Sequence, residues 1–198
     1  MSKTDPGTSM TLLGRLREPQ VDQDAWARLV RLYGPLIGYW AGRRRVAGAD
    51  AEDVAQEVFQ AVAAGLADFR RDRPGDSFRG WLHGITGFVL LRHADRAAGR
   101  EGAVGGTLAL ENIQNLPAAA HDDEVNPPAE VSALYRRGLE LVRGEFEART
   151  WRAFWEHVVD GRSPADVAAD LGVSSAAVRQ AKSRVLRRLR EELGDLID

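Results

Sequence analysis

Ser163-Pro-Ala-Asp-Val-Ala-Ala-Asp-Leu-Gly172-Val-Ser-Ser-Ala-Ala-Val-Arg-Gln-Ala-Lys182-Ser-Arg-Val-Leu-Arg-Arg-Leu-Arg190 reads as two helices around a sharp turn, the second loaded with base. Ser163 is placed to cap the first helix, with Pro164 at its first position, where a missing N–H costs nothing. Val167, Ala168 and Leu171 form its apolar face. Gly172 falls where the chain must turn, with Val173 in the corner, and Ser174 or Ser175 caps the second helix. Val178, Ala181, Val185 and Leu189 recur at helical spacing and face inward. Arg179, Gln180, Lys182, Ser183, Arg184 and Arg187 are left outside. A helix presenting Arg, Gln, Lys and Ser suits a DNA major groove, where Arg and Gln match base edges and Lys and Ser match phosphates.

The charge distribution agrees with that reading. The 198 residues carry a formal net charge of −2, so any polyanion-binding surface has to be local. From Val178 to Leu189 there are five basic residues and no acid, whereas Glu101 to Tyr135 holds six acids and no Lys or Arg. Without cysteine the chain has no disulfide framework and no thiolate metal site, which fits a reducing cytoplasm. No apolar run approaches the ~20 residues needed to span a bilayer, and no membrane insertion is expected. The first ten residues are polar and lack the apolar core of a signal peptide.

Working outward, helical periodicity recurs and strand signals are scarce, so the fold class is all-α: two small helical domains joined by a flexible acidic linker, the C-terminal one a helix-turn-helix. A flexible N-terminus is expected over 1–20, a first domain over 21–98, a linker over 99–129 and a second domain over 130–198. In the first domain a helix runs from about Gln23 to Arg45, with Trp26, Leu29, Val30, Tyr33, Ile37 and Trp40 on one side. Gly34-Pro35 predicts a kink or two abutting helices. A second helix, from about Ala51 to Phe69 with Asp50 as its N-cap, carries the stripe Val54, Val58, Val62, Leu66 and Phe69. After the loop Arg70–Asp76, a third runs from Ser77 to about Arg96 with Phe78, Trp81, Leu82, Ile85, Val89 and Leu90. Residues ~97–128 are rich in Gly, Ala, Pro, Asn and Asp and cannot bury enough surface to fold alone. Apolar spacing resumes with Val131, Leu134, Leu139, Leu141 and Val142, then Phe146, Trp151, Phe154, Trp155 and Val158.

Three stretches in this order resemble a known family. Asp53-Val-Ala-Gln-Glu-Val-Phe59, with Ala63 and Phe69, resembles the core-binding helix of bacterial RNA polymerase sigma factors. Phe78-Arg-Gly-Trp-Leu82 followed by Ile85 resembles the segment after it. Gly172 to Arg190 resembles the family's promoter-reading helix. The short length matches the extracytoplasmic-function (ECF) group. Leu32-Tyr-Gly-Pro-Leu36 and Lys182-Ser-Arg-Val-Leu186 are similar to a planctomycete-like branch of it. The resemblance covers about residues 20–98 and 130–193.

It implies a transcription initiation factor with no catalysis, no cofactor and no metal of its own. It also implies binding of core RNA polymerase through the largest-subunit clamp coiled coil and the flap region, reading of promoter DNA, and assistance in opening it. Asp53, Gln56, Glu57 and Gln60 form a polar, net-negative face, which the resemblance assigns to the clamp. Arg70, Arg71, Arg73, Phe78, Arg79, Arg92 and Arg96 fall where the family reads the minus-ten element and captures an unstacked base; Trp81 at this spacing is more often core. The minus-thirty-five element falls to Ser174, Ser175, Arg179, Gln180, Lys182, Ser183, Arg184 and Arg187, the last two more suited to phosphates. Many relatives are held by an anti-sigma factor, which would cover the same polar face and basic helix.

Two departures stand out. The family pattern has an Asn three residues after the Ile and an Asp four further on; this chain has Phe88 and Arg92, which puts reading of the upstream edge of the minus-ten element in doubt. Lys182-Ser183-Arg184 also comes three residues late, nearly one helical turn along the same face. The acidic linker reads either as a spacer kept off DNA or as a segment threading the polymerase cleft. Outside the family, a stand-alone dimeric helix-turn-helix regulator is the alternative. A metal site at His121-Asp122-Asp123-Glu124 is disfavoured, because adjacent residues in a linker do not converge on one ion.

Overall fold

The computed structural model describes residues 11–20, 22–71, 76–99 and 128–196. Arg73, Arg100, most of the expected linker and His121–Glu124 lie outside the described residues. Those that are described are helical throughout, apart from turns and short 3-10 segments, and contain no strand. They group into two compact units, Leu12–Tyr135 and Arg136–Gly194, each extended by a few residues from a chain end. Among them, no helix is long and apolar enough to cross a membrane.

The first unit begins earlier than the sequence suggests. Leu12–Leu16 forms a short helix, α1, with Leu12, Leu13 and Leu16 buried, so part of the stretch expected to be flexible is ordered by three leucines on one face. α2 spans Gln23–Arg43, and the Asp22 carboxylate caps it by accepting from the Ala25 N–H. The break expected at Gly34-Pro35 does not divide this helix; Pro35 lies inside it. Proline in a helix interior costs roughly 3 kcal/mol. Here Leu32, Tyr33, Leu36 and Ile37 flank it with at most 1% exposure, and burial of several large apolar side chains outweighs that cost.

α3 covers Ala49–Gly65. Its N-cap is Gly48 at φ +61°, not Asp50, which sits inside the first turn with Glu52 and favours the helix dipole there. Val54, Val58 and Val62 are fully buried along its inner face. Arg17 donates to the carbonyl oxygens of Leu66 and Phe69 just past its end. α4 runs Phe78–Ala97, capped by Ser77, whose hydroxyl accepts from Gly80 N–H. Phe78 occupies the centre of an aromatic cluster, with ring centroids 5.2 Å from Tyr33, 5.6 Å from Phe69 and 5.7 Å from Trp81.

α5 spans Pro128–Val142. A 3-10 turn at Arg143–Glu145 leads to α6 (Ala148–Val158), α7 (Pro164–Leu171) and α8 (Ser175–Leu193). In the second unit, Trp151, Phe154, Val167, Val178, Ala181, Val185 and Leu189 are buried together on the inner faces of α6, α7 and α8. Gly138 lies against α8, so that a Cβ there would sit 2.6 Å from a Leu193 methyl.

Candidate functional site

The turn between α7 and α8 has the residues expected from the sequence. The Ser163 hydroxyl accepts from Asp166 N–H, Pro164 opens α7, and Gly172 closes it in the left-handed conformation at φ +59°. Ser174 rather than Ser175 caps α8, accepting from Ala177 N–H. Two features hold the turn from outside. The Arg149 guanidinium donates to the carbonyl oxygens of Leu171 and Gly172 at the end of α7, where the helix dipole is negative. Arg162 bridges Glu156 on α6 and Asp170 on α7, each at 2.5 Å, and its pKa is raised, chiefly by the bond to Asp170.

α8 then sorts its side chains as its spacing requires. Val178, Ala181, Val185 and Leu189 are buried, while Arg179, Gln180, Lys182, Ser183, Arg184 and Arg187 are exposed. Among the described residues no ion pair joins Arg179, Lys182 or Arg184, and Arg187 has only Glu191 at 3.6 Å. Arg188 points away from this face, making two bonds to Glu145 at 2.6 and 2.9 Å and one to the buried Glu192 at 2.7 Å. The exposed face is therefore a cationic surface on a capped helix, with Arg179, Lys182 and Arg184 in no ion pair among the described residues. A second feature of this unit carries no clear sequence signal as a site. Phe146, Trp151 and Trp155 line an open groove of about 830 Å³ with Glu140, Arg152 and Asp160 at its margin.

In the first unit the four residues proposed for the polar face of α3 separate into two groups. Gln56 and Gln60 border an open groove of about 580 Å³ whose walls are Trp26, Val30 and Gly34 from α2 and Ala55, Phe59 and Ala63 from α3. Helical spacing puts Trp26 and Val30 in the core. Instead Trp26 is half-buried and Val30 is 44% exposed, while Leu29, Tyr33 and Ile37 on the same helix are fully buried. Glu57, further round the same polar side of α3, accepts from Arg96 on α4 at 2.6 Å, while Asp53 is exposed.

The residues grouped for the minus-ten element are not brought to one surface. Phe78 has no exposed surface and Trp81 is 3% exposed. Phe78 thus serves the core, where helical spacing put Trp81, and neither ring is available to stack on a base. Arg79 is 8% exposed, and its Nε and Nη1 have no hydrogen-bond partner among the described residues. Arg70 donates to the carbonyl oxygens of Ala67 and Phe69, and Arg71 to that of Asp76, so both secure the loop. Arg92 lies over the Phe88 ring, 6.0 Å from its centroid, and Arg96 holds Glu57. A run that sequence reasoning passed over, Arg43-Arg44-Arg45, ends α2 at the surface; Arg43 and Arg44 border a small notch with Trp40, His83 and Gly87. Among the described residues, no three His, Asp or Glu side chains gather where they could hold a metal ion.

Comparison with known proteins places the chain in a family. The description "Sigma-70 region 2" matches residues 29–100, which contain all of α3 and α4 and, except for Trp26, the residues lining the α2/α3 groove. The ECF RNA polymerase sigma factor SigD of Mycobacterium tuberculosis is 30% identical over 197 residues, covering 93% of this chain and 87% of the relative. The RNA polymerase sigma factor CarQ of Myxococcus xanthus is 28% identical over 180 residues, covering 88% and 92%. The ECF RNA polymerase sigma factor SigE of Mycolicibacterium smegmatis is 27% identical over 175 residues, covering 88% of this chain and 63% of the relative. That likeness runs through both units, which sets aside the stand-alone dimeric regulator. The chain belongs to the ECF group of RNA polymerase sigma factors and is a transcription initiation factor.

Proposed function

We propose that the first unit docks on core RNA polymerase through the α2/α3 groove, and that both units then read promoter DNA without catalysing any step. The observation that carries this is the groove itself. It joins an apolar floor (Trp26, Val30, Phe59) to a polar margin (Gln56, Gln60, Glu52), and except for Trp26 its lining lies within the segment matched to sigma region 2. Apolar patches rimmed by polar residues mark protein interaction surfaces. The partner surface we assign to it is the clamp coiled coil of the largest subunit, with Asp53 and Glu57 contributing charge that orients the encounter. The Phe146/Trp151/Trp155 groove is the corresponding candidate for the polymerase flap.

The exposed face of α8 takes the minus-thirty-five element: Arg179 and Gln180 toward base edges, Lys182, Ser183, Arg184 and Arg187 toward phosphates. The minus-ten element falls to α4 and the loop before it, without Phe78. Residues 21–98 and 130–198 are thus the two functional domains, working in the cytoplasm. Where an anti-sigma factor exists, these are the surfaces it would cover. Assignment to the planctomycete-like branch rests on the Leu32–Leu36 and Lys182–Leu186 phrases alone.

The test is binding to purified bacterial core RNA polymerase by wild type and by a Gln56→Ala/Phe59→Ala variant, then transcription from promoters selected with the wild-type complex. Binding by wild type and its loss in the variant are expected. Failure of the wild type to bind core overturns the proposal.

A further inference from the structure

The middle of α4 carries an outward face that the family resemblance does not account for. Phe88, Leu91 and Arg92 stand at i, i+3 and i+4, so they are neighbours on the helix surface. Leu91 is 61% exposed, the largest value among the exposed large apolar side chains of the described residues. Phe88 is half-buried with the Arg92 guanidinium over its ring. Gly87 stands one turn before Leu91, and a Cβ there would meet nothing within 4 Å, so packing in the fold does not require the glycine. Arg43 at the end of α2 and Arg44 just past it stand beside Gly87 at the flanking notch.

Asp95 stands one turn beyond Leu91 on the same face, but an apolar strip on a helix with thin shoulders and Arg43, Arg44 and Arg92 beside it suits a duplex major groove. There the cations meet phosphates, and the apolar groups meet the one hydrophobic feature of the base edges, the C5-methyl of thymine. Stacking on an unpaired base needs an open ring face. One face of Phe88 is taken by Arg92, and the residue is only partly exposed. We infer that Phe88 and Leu91 read thymine methyl groups in duplex DNA at the upstream edge of the minus-ten element, with Arg92 holding the Phe88 ring and Arg43 and Arg44 on the backbone. This rests on the reading that α4 faces the promoter. It assigns apolar recognition to the position where the resemblance leads one to expect a hydrogen-bonding Asn.

The test uses the full chain assembled with purified core RNA polymerase. Promoters are selected from a random duplex pool, and the selected duplex is remade with deoxyuridine replacing thymidine one position at a time, which removes only the methyl group. Wild type should bind about fourfold more weakly at one or two adjacent upstream positions, the worth of one buried methyl. Leu91→Gln, at a site too exposed to affect folding, and Phe88→Asn should each bind the uracil and thymine duplexes alike at such a position. Indifference of the wild type to uracil throughout that region overturns the inference. So does a uracil effect that persists unchanged in both variants, or one seen only on templates already opened there. If the wild type fails to bind core, the reading beneath the inference falls with it; if it binds core and selects a promoter that is indifferent to methyl removal, only the inference falls.

Discussion

Val30→Asp should separate docking from folding more cleanly than any change to the buried core. Val30 sits on the wall of the α2/α3 groove, 44% exposed. Fully burying a valine side chain is worth ~1.5–3 kcal/mol, so covering its open part contributes about 1 kcal/mol to a complex. A carboxylate on the same wall would lose water when a partner closes over it, adding a desolvation cost of roughly 1–3 kcal/mol. Together these give about 2–4 kcal/mol, a loss of ~30- to ~1,000-fold in affinity. In the free protein the same carboxylate stays hydrated, so unfolding should change by about 0.5 kcal/mol or less, as at other exposed positions. Val30→Ser, which removes the apolar contact without a charge, should cost about fivefold. The assay is a titration of labelled protein with purified core RNA polymerase, alongside urea unfolding of each variant. An affinity for core within twofold of wild type in Val30→Asp would refute the claim that this wall is covered in the complex.

The α7–α8 turn, the basic face of α8 and the cap of α2 each give a further expected outcome. Gly172→Ala should destabilise the second unit by ~1–2 kcal/mol through its left-handed backbone alone, since the added Cβ meets only an Arg149 nitrogen at 3.7 Å. Gly172→Asn should cost less, and equal urea midpoints for the two would count against strain as the cause. Arg184→Gln should lower the magnitude of the log-affinity against log-salt slope for the upstream promoter duplex by about 0.9, one phosphate's worth, while Gln180→Ala should leave the slope alone. An unchanged slope in Arg184→Gln removes it from the phosphate contacts. The hydrogen bond from Ala25 N–H, and then Arg15, hold the Asp22 carboxyl below its ordinary pKa. Its charge-dependent contribution is therefore present above the ordinary aspartate range and lost as pH falls through the folded value. Asp22→Asn keeps the cap acceptor without the titration, so its melting-temperature gap from wild type should shrink between pH 7 and pH 2.5. A gap that stays constant over that range would show that Asp22 does not act through its charge.

Local chemistry made the second unit largely legible. Ser163, Pro164, Gly172 and Ser174 each act within four residues of themselves, and the alternation of buried and exposed positions on α8 comes from 3.6-residue spacing. The first unit was legible in its stripes but not at their edges. Trp26 and Val30 belong to the apolar side of α2, yet whether the margin of a stripe is covered depends on the width of the neighbouring helix, and periodicity does not encode that. Phe78 was misplaced for the opposite reason. A residue at a helix start looks available to a ligand, but Tyr33, Phe69 and Trp81 converge on it. The basic run Arg43–Arg45 was visible in the sequence; its placement beside the middle of α4 was not, because that depends on how α2 and α4 pack.

The ion pair between Glu57 and Arg96 has a thermodynamic corollary. Each residue is the other's counter-ion at 2.6 Å, while in the proposed function one belongs to the helix that docks on polymerase and the other to the helix that faces DNA. With side chains 30% and 39% exposed, the bond is weak and easily exchanged. Any partner that takes the Glu57 carboxylate leaves the Arg96 guanidinium seeking an anion, and a phosphate that takes Arg96 frees Glu57 for a cation. Linkage requires the two effects to be equal. With α3 on polymerase and α4 on DNA as proposed, the affinity for DNA gained through this pair on joining polymerase would equal the affinity for polymerase gained on meeting DNA, a small, symmetric preference for having both partners or neither.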